Sequence, residues 1–148
     1  MPAMQDLPSL MKHLEKKERL AELLAPQDFA PEGLAADTMA RQFKDKLKPT
    51  QMRKVFHTFK RIERGLKGKK NDEQLSTELL AEISRLGPEL AYAVGRELIP
   101  KDFYNLLKTC LHREKMQTVG DFRVLTQLLT AILAYQKYYD KEKGGQNG

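Results

Sequence analysis

The chain has 148 residues, of which 41% are hydrophobic and 31% are charged, and its formal net charge is +6. That length suffices for one domain with a hydrophobic core, and that composition excludes a wholly disordered chain. No apolar run approaches the ~18 residues that a membrane-spanning helix needs, and the single cysteine, Cys110, excludes an internal disulfide. We therefore expect a cytoplasmic globular protein with no secretory signal and no membrane partner.

Helical periodicity covers almost the whole chain. Thr50 is the expected N-cap of the third helix, the Gly87-Pro88 pair breaks the chain before a short helix, and Pro100 opens the next one. In chain order, the predicted helices cover residues 8–24, 34–47, 49–64, 72–86, 88–96, 100–111 and 119–139.

The absence of alternating apolar and polar residues indicates that no strands accompany these helices. We predict an all-α fold, a compact bundle of about five to six helices. Residues 1–30 are expected to form an N-terminal amphipathic helix and a linker, residues 31–140 the helical bundle, and residues 141–148 a disordered tail.

Apolar side chains recur at helical spacing and define the expected core. The third helix has the clearest apolar stripe, formed by Met52, Val55, Phe56, Phe59, Ile62 and Leu66. The buried side of the fourth helix is predicted to consist of Leu75, Leu79, Leu80 and Ile83.

Positive charge is concentrated in one window, residues 44–70. The window holds eleven basic residues against only Asp45 and Glu63, a local charge of +9, so the rest of the chain sums to −3. Such an uneven field favours a polyanionic partner, and phosphate backbones bind Lys and Arg with release of condensed counterions.

Within this window, basic side chains share one flank of the third helix. At about 100° per residue, Arg53, His57, Lys60, Arg64 and Lys67 form a lengthwise stripe beside the apolar face, with Lys54 and Arg61 further round on the side most remote from the core. The stripe could follow successive phosphates of a nucleic-acid strand. A solvated helix face is the alternative interpretation, since charge runs often are only that.

Residues typical of catalysis are scattered. His13, His57 and His112 lie on different predicted helices, and the Cys110/His112 pair lacks the further ligands of a tetrahedral metal site. No phosphate-binding glycine loop and no metalloprotease motif occur. We therefore predict a binding protein, with no catalytic residues, no metal and no cofactor.

Three segments carry a resemblance to a known family: TQMRKVFHTFKRIE at residues 50–63, LGPELAYAVGR at 86–96 and AILAYQKYY at 131–139. In this order and at these separations, over about residues 34–139, they resemble the small subunit of the type III-A CRISPR effector, the Csm interference complex. The departures from the family pattern are Met52, Glu89, Val94, Thr130 and Gln136, which stand for Leu, Lys, Ala, Glu and His. The retained positions are Arg53, Tyr92, Arg96, Ala134, Tyr135 and Lys137.

The resemblance implies a helical bundle without catalytic activity of its own. Several copies would stack head to tail as the inner filament of an antiviral complex whose backbone and large signature subunits carry the guide RNA and the enzymatic activities. The small subunits would line the channel where guide and target RNA pair, and base pairing would supply the specificity. The expected nucleic-acid-binding residues are Arg53, Lys54, Lys60, Arg61, Arg64, Lys67, Arg96 and Lys137.

Four of the tyrosines receive separate interpretations. Tyr92 lies one helical turn from Arg96 and is either a core aromatic or a neighbour of an RNA contact. Tyr135 is expected to pack rather than to stack on a base. Tyr138 and Tyr139 are expected to be exposed on the last helix and, with the N-terminal helix, to form surfaces for stacking between copies.

Three alternatives stay open at this point. A DNA-binding regulator would need a short recognition helix after a tight turn, whereas the charges here run along one long helix. A helical adaptor could use the same basic face to bind an acidic protein. The small subunit of the sister type III-B complex would have a similar design, although the second and third segments favour type III-A.

Overall fold

The computed structural model describes the backbone of residues 3–147 and the side chains of residues 3–140. Over that range the chain is all-α and compact, which confirms the predicted fold class, although it has more helical segments than expected. In chain order they are α1 Leu7–His13, α2 Leu20–Leu23, α3 Pro26–Phe29, α4 Ala35–Gln42, α5 Pro49–Arg64, α6 Thr77–Ser84, α7 Leu86–Gly95, α8 Lys101–Leu111 and α9 Val119–Asn147.

Helix α9 is the central element of the bundle. It packs most extensively against α4 and α5 and also against α2 and α3. On the other side of α5, α6 packs against α5, α7 against α6 and α8 against α7. The first part of α9 is buried on most sides, and the surrounding helices remove its many apolar side chains from water. Its fully buried side chains include Phe122, Leu125, Leu128, Leu129 and Ile132.

The predicted helix over residues 8–24 is wrong, because the chain forms α1 and α2 with a turn between them. Arg19 is extended before α2, and the backbone N–H of Leu20 donates to the carbonyl of Lys115 at 2.9 Å. The ring of His13 bonds the carbonyl of Leu23 at 2.8 Å. These tertiary bonds require the break and outweigh the helical preference of the segment. Leu7, Leu10, Leu14, Leu20, Leu23 and Leu24 still join the same core as the bundle.

Several predicted helix ends are also wrong. Helix α5 is capped by Lys48, with Pro49 at its first position, so Thr50 is not the N-cap. Helix α6 begins only after Ser76, whose hydroxyl accepts from the N–H of Leu79, because the preceding residues form an isolated antiparallel bridge between Gln74 and Thr118.

Helices α4 and α7 also differ from their predicted bounds. Helix α4 ends at Gln42, and turns occupy residues 43–47. Helix α7 already begins at Leu86, and Pro88 fits within its first turn, where a missing N–H costs nothing.

Burial follows the predicted stripes with two clear exceptions. Met52, Val55, Phe59, Ile62 and Leu66 are buried on α5 and the turn after it. Phe56 is only half-buried, and Leu80 is 40% exposed. Both lie at the border of their helix's apolar face, where burial depends on the neighbouring helix rather than on spacing.

The C-terminal part of α9 is fastened to α4 through Asp37, a buried aspartate. Its carboxylate accepts from the N–H of Gly33 at 2.7 Å and from the hydroxyl of Tyr139, and Arg41 lies 3.7 Å away. Tyr139 is therefore half-buried, and its predicted exposure is wrong, whereas Tyr138 is 61% exposed as expected.

The backbone of α9 continues as helix to Asn147, beyond the predicted end at Tyr139. The side chains of residues 141–148 lie outside the described residues, so the predicted disordered tail stays a prediction. The proposed division of the chain at residue 30 stays a prediction as well.

We expect Tyr139→Phe to lower the free energy of unfolding by about 1 kcal/mol, because the buried carboxylate of Asp37 loses a donor. The hydrogen bond to Asp37 and burial raise the pKa of Tyr139 to about 12. A raised pKa in the folded state means that this stabilisation is fully present below the unfolded value near 10 and is lost as the pH rises through about 12.

Urea unfolding at pH 8 and at pH 11 checks this prediction. The difference between the wild type and Tyr139→Phe should be present at pH 8 and smaller at pH 11. Tyr138→Phe, on the exposed neighbour, is the matched control and should behave like the wild type at both. An equal difference at the two pH values would contradict the assigned bond.

Candidate nucleic-acid interface

Helix α5 is at once a core helix and the most basic helix of the chain. Met52, Val55, Phe59 and Ile62 face the interior, and the ring of Phe59 stacks on that of Phe122 of α9 with centroids 5.5 Å apart. This packing fixes the rotation of α5 about its axis. The opposite face is therefore held in solvent, and the basic residues lie on it.

Five of the predicted contact residues have exposed side chains on α5 or in the turn after it. Within the part of the chain whose side chains are described, none of them forms an ion pair. An exposed and unpaired cation can bind a phosphate without first breaking a protein contact. These residues, which we call the basic face, are Arg53, Lys54, Arg61, Arg64 and Lys67.

Lys60 differs from the other residues of the predicted stripe. Its ammonium lies 2.8 Å from the carboxylate of Glu63 and 6.0 Å from the centroid of the Phe56 ring. The side chain is half-buried. Because Glu63 already offsets its charge, Lys60 is less available to bind a phosphate than the other cations of the predicted stripe. Its predicted contact with RNA stays a prediction.

Lys54 and Arg61 are exposed, but they also line grooves between α5 and its neighbours. Lys54 and Glu89 line a cavity of about 250 Å³ between α5 and α7. Arg61 and Glu82 line a similar one, of about 260 Å³, beside α6. The helical wheel could not show these carboxylates, because it contains no neighbouring helix.

A residue that sequence reasoning missed, Arg123 of α9, holds the basic loop that follows α5. Its guanidinium donates to the carbonyl of Leu66 at 2.9 Å and to the side-chain oxygen of Asn71 at 2.7 Å. The N–H of Gly120 also donates to the carbonyl of Asn71 at 2.9 Å. A Cβ at Gly120 would meet Asn71 atoms at 3.1 Å, so this close approach favours glycine.

These bonds tie the loop carrying Lys67, Lys69 and Lys70 to the start of α9. No sequence signal identifies Arg123 in advance, since it lies 52 residues from Asn71 in the chain. Its consequence is that the loop cations extend the basic face from a fixed backbone.

The last two predicted contact residues lie away from α5. Arg96 caps the C-terminal end of α7, and its guanidinium donates to the hydroxyl of Tyr92 at 3.0 Å. Tyr92 is 64% exposed, which excludes the interpretation as a core aromatic. Lys137 is exposed on α9, next to the buried Gln136.

Tyr135 packs rather than pointing into solvent. Its hydroxyl donates to the carbonyl of Ala30 at 2.6 Å, and burial together with the carboxylates of Asp37 and Glu32 raises the pKa of this phenol.

The groups that could do chemistry are dispersed in the part of the chain with described side chains. Burial raises the pKa of the Cys110 thiol to about 12, so it is not a nucleophile at neutral pH. Among these residues no group of three or more His, Cys, Asp or Glu side chains could hold a metal ion. No helix in the described range is long and apolar enough to cross a membrane.

Comparison with protein families gives a match to the model named Csm2 Type III-A over residues 33–142. The chain belongs to this family. It is therefore a small subunit of the type III-A Csm complex and works within a multi-subunit assembly. The match confirms the resemblance found over residues 34–139 and favours type III-A over type III-B. No curated protein and no solved structure matched the chain.

In this Csm2 family member, α1, α2 and α3 precede the matched region. Helices α5 and α7 lie within it, and so do Tyr92 and Arg96. The basic face and Arg123 are also inside the match. The N-terminal helices nevertheless complete the core, because Asp121 of α9 accepts from the N–H of Ala21 at 2.8 Å.

We expect Arg123→Met to loosen the basic loop without unfolding the bundle. The variant loses two hydrogen bonds from a charged, half-buried donor. We expect this loss to lower the free energy of local unfolding of residues 66–73 by about 2 kcal/mol. Hydrogen exchange followed by mass spectrometry should show faster exchange there and unchanged exchange in α8.

Arg113→Met, which alters an exposed arginine elsewhere, is the control and should leave both segments unchanged. Equal protection of residues 66–73 in Arg123→Met and the wild type would show that the loop does not depend on Arg123.

Proposed function

We propose that this Csm2 family subunit binds the guide and target RNA of its complex through the basic face of α5, without reading the sequence. The supporting observation is that five exposed cations without ion pairs to described residues share one packed helix and its following turn. Such a row suits phosphates, which repeat along a strand whatever the bases are. Specificity would then come from pairing between the two RNA strands.

We further propose that the subunit has no catalytic activity and needs no metal or cofactor. The buried thiol of Cys110 and the scattered histidines supply no nucleophile next to a base. The other subunits of the cytoplasmic complex would carry the enzymatic steps, and this chain would position RNA.

Assembly with further copies of the same chain is the second part of the proposal. A head-to-tail filament requires two different surfaces on each subunit. Tyr138 suits one of them, because it is exposed on α9 and tyrosine is favoured at interfaces. Tyr139 does not, because its hydroxyl is bonded to Asp37.

The salt dependence of RNA binding tests the proposed role of the basic face. Arg53, Arg61, Arg64 and Lys67 are replaced together by alanine, and affinity for a mixed-sequence single-stranded RNA is measured at several salt concentrations. The slope of log affinity against log salt should fall by about 0.7 for each lost phosphate contact. The melting temperature should stay nearly unchanged, because exposed charges contribute little to folding.

A control variant removes the same number of charges from other surfaces by replacing Lys12, Lys17, Lys101 and Arg113, which are all exposed. It separates a local contact from the effect of net charge. If both variants lose the same slope, binding follows overall charge and the basic face is not the site. If neither differs from the wild type, the proposed function is wrong.

A further inference from the structure

The most exposed of the large hydrophobic side chains described is Tyr92, at 64%. Its neighbours on that side of α7, Pro88, Ala91 and Gly95, are exposed, and none of them has a large side chain. Covering an exposed aromatic ring on a rigid helix with another flat surface is favourable, because it removes apolar area from water.

Arg96 holds this ring in place. Besides the hydrogen bond to the Tyr92 hydroxyl, its guanidinium carbon lies 5.8 Å from the ring centroid. The end of α7 is itself fixed by two backbone bonds, from Leu98 to the carbonyl of Ala93 and from Glu97 to that of Val94, both 2.9 Å. Glu97 has the positive φ, 59°, that this helix ending requires. Tyr92 and Arg96 thus contact each other at a fixed helix end.

The pair lies on the same side of α7 as Glu89, which is one turn earlier. Glu89 lines the groove whose other wall carries Lys54 of the basic face. Tyr92 therefore lies one helical turn beyond a residue that lines the same groove as the basic face. The carboxylate of Glu89 disfavours a phosphate on the α7 wall, whereas an uncharged base is not repelled there.

We propose that Tyr92, supported by Arg96, is a stacking site for an unpaired nucleobase of the RNA that the basic face binds. This inference rests on the proposed RNA binding and adds to it. The basic face would hold the backbone of any strand, and the Tyr92–Arg96 pair would favour strands with a base free to stack. Paired bases in a duplex are already stacked and would gain nothing.

The test compares three RNAs of equal length: an adenosine-rich single strand, a duplex, and a single strand with abasic riboses. Tyr92→Ala should weaken binding of the adenosine-rich strand about fivefold or more. Binding of the duplex and of the abasic strand should be unchanged, and so should the salt slope, because no phosphate contact is lost.

Three further variants isolate the ring. Tyr92→Phe keeps the ring without the hydroxyl and should bind within about twofold of the wild type, whereas Tyr92→Leu should resemble Tyr92→Ala. Leu80→Ala, which removes a different exposed apolar side chain, should bind all three RNAs as the wild type does.

The outcomes separate this inference from the proposed function. If Tyr92→Ala binds the adenosine-rich strand normally while the fourfold charge variant binds it weakly, the stacking site is wrong and the basic face stands. If Tyr92→Leu binds the adenosine-rich strand as well as the wild type does, an apolar side chain suffices without an aromatic ring, and stacking is also wrong. If the wild type binds none of the RNAs, the proposed function fails and the stacking site fails with it.

Discussion

The first half of α9 is the constraint on which the described structure depends. It is buried except along a strip that includes Gln127 and Thr130, so helices cover it on several sides. Asp121 adds a polar anchor in the first turn. Its buried carboxylate accepts from the N–H groups of Ala21, Gln117 and Thr118 at 2.8 to 3.0 Å. It thereby caps α9, where a negative charge is favourable, and fixes the entry of α2. Helices outside the family match thus take part in the core.

That constraint also explains how one helix can serve both folding and binding. Because α5 packs against α9, where the ring of Phe59 stacks on that of Phe122, its rotation is determined by buried side chains. The cations on the other side add little to stability when exposed, so they can serve the proposed RNA contact without a cost to folding. Lys60 is the exception, since it is half-buried and its charge is paired with that of Glu63.

Much of this architecture follows from the sequence, and what does not has a common cause. Helical periodicity is a local property, and it predicted the all-α class, the span of α5 and most of the core. The break between α1 and α2 depends on bonds to Lys115 and Asp121, about a hundred residues away. The same holds for the burial of Tyr139 against Asp37 and for the contacts of Arg123. On the candidate site, exposure of the basic face was predictable, whereas the pairing of Lys60 and the carboxylates beside Lys54 and Arg61 required the packed helices.

The central claim is that RNA lies against the α5 side of this subunit, and chemical modification of lysines tests it most directly. The full-length protein is treated with an amine-acetylating reagent with and without single-stranded RNA, and modification of each lysine is measured by mass spectrometry. Lys54, Lys67 and Lys70 should be protected by RNA, whereas Lys12, Lys17 and Lys101, which are equally exposed on other surfaces, should react as before. Protection spread evenly over both sets, or confined to the second, would contradict the account.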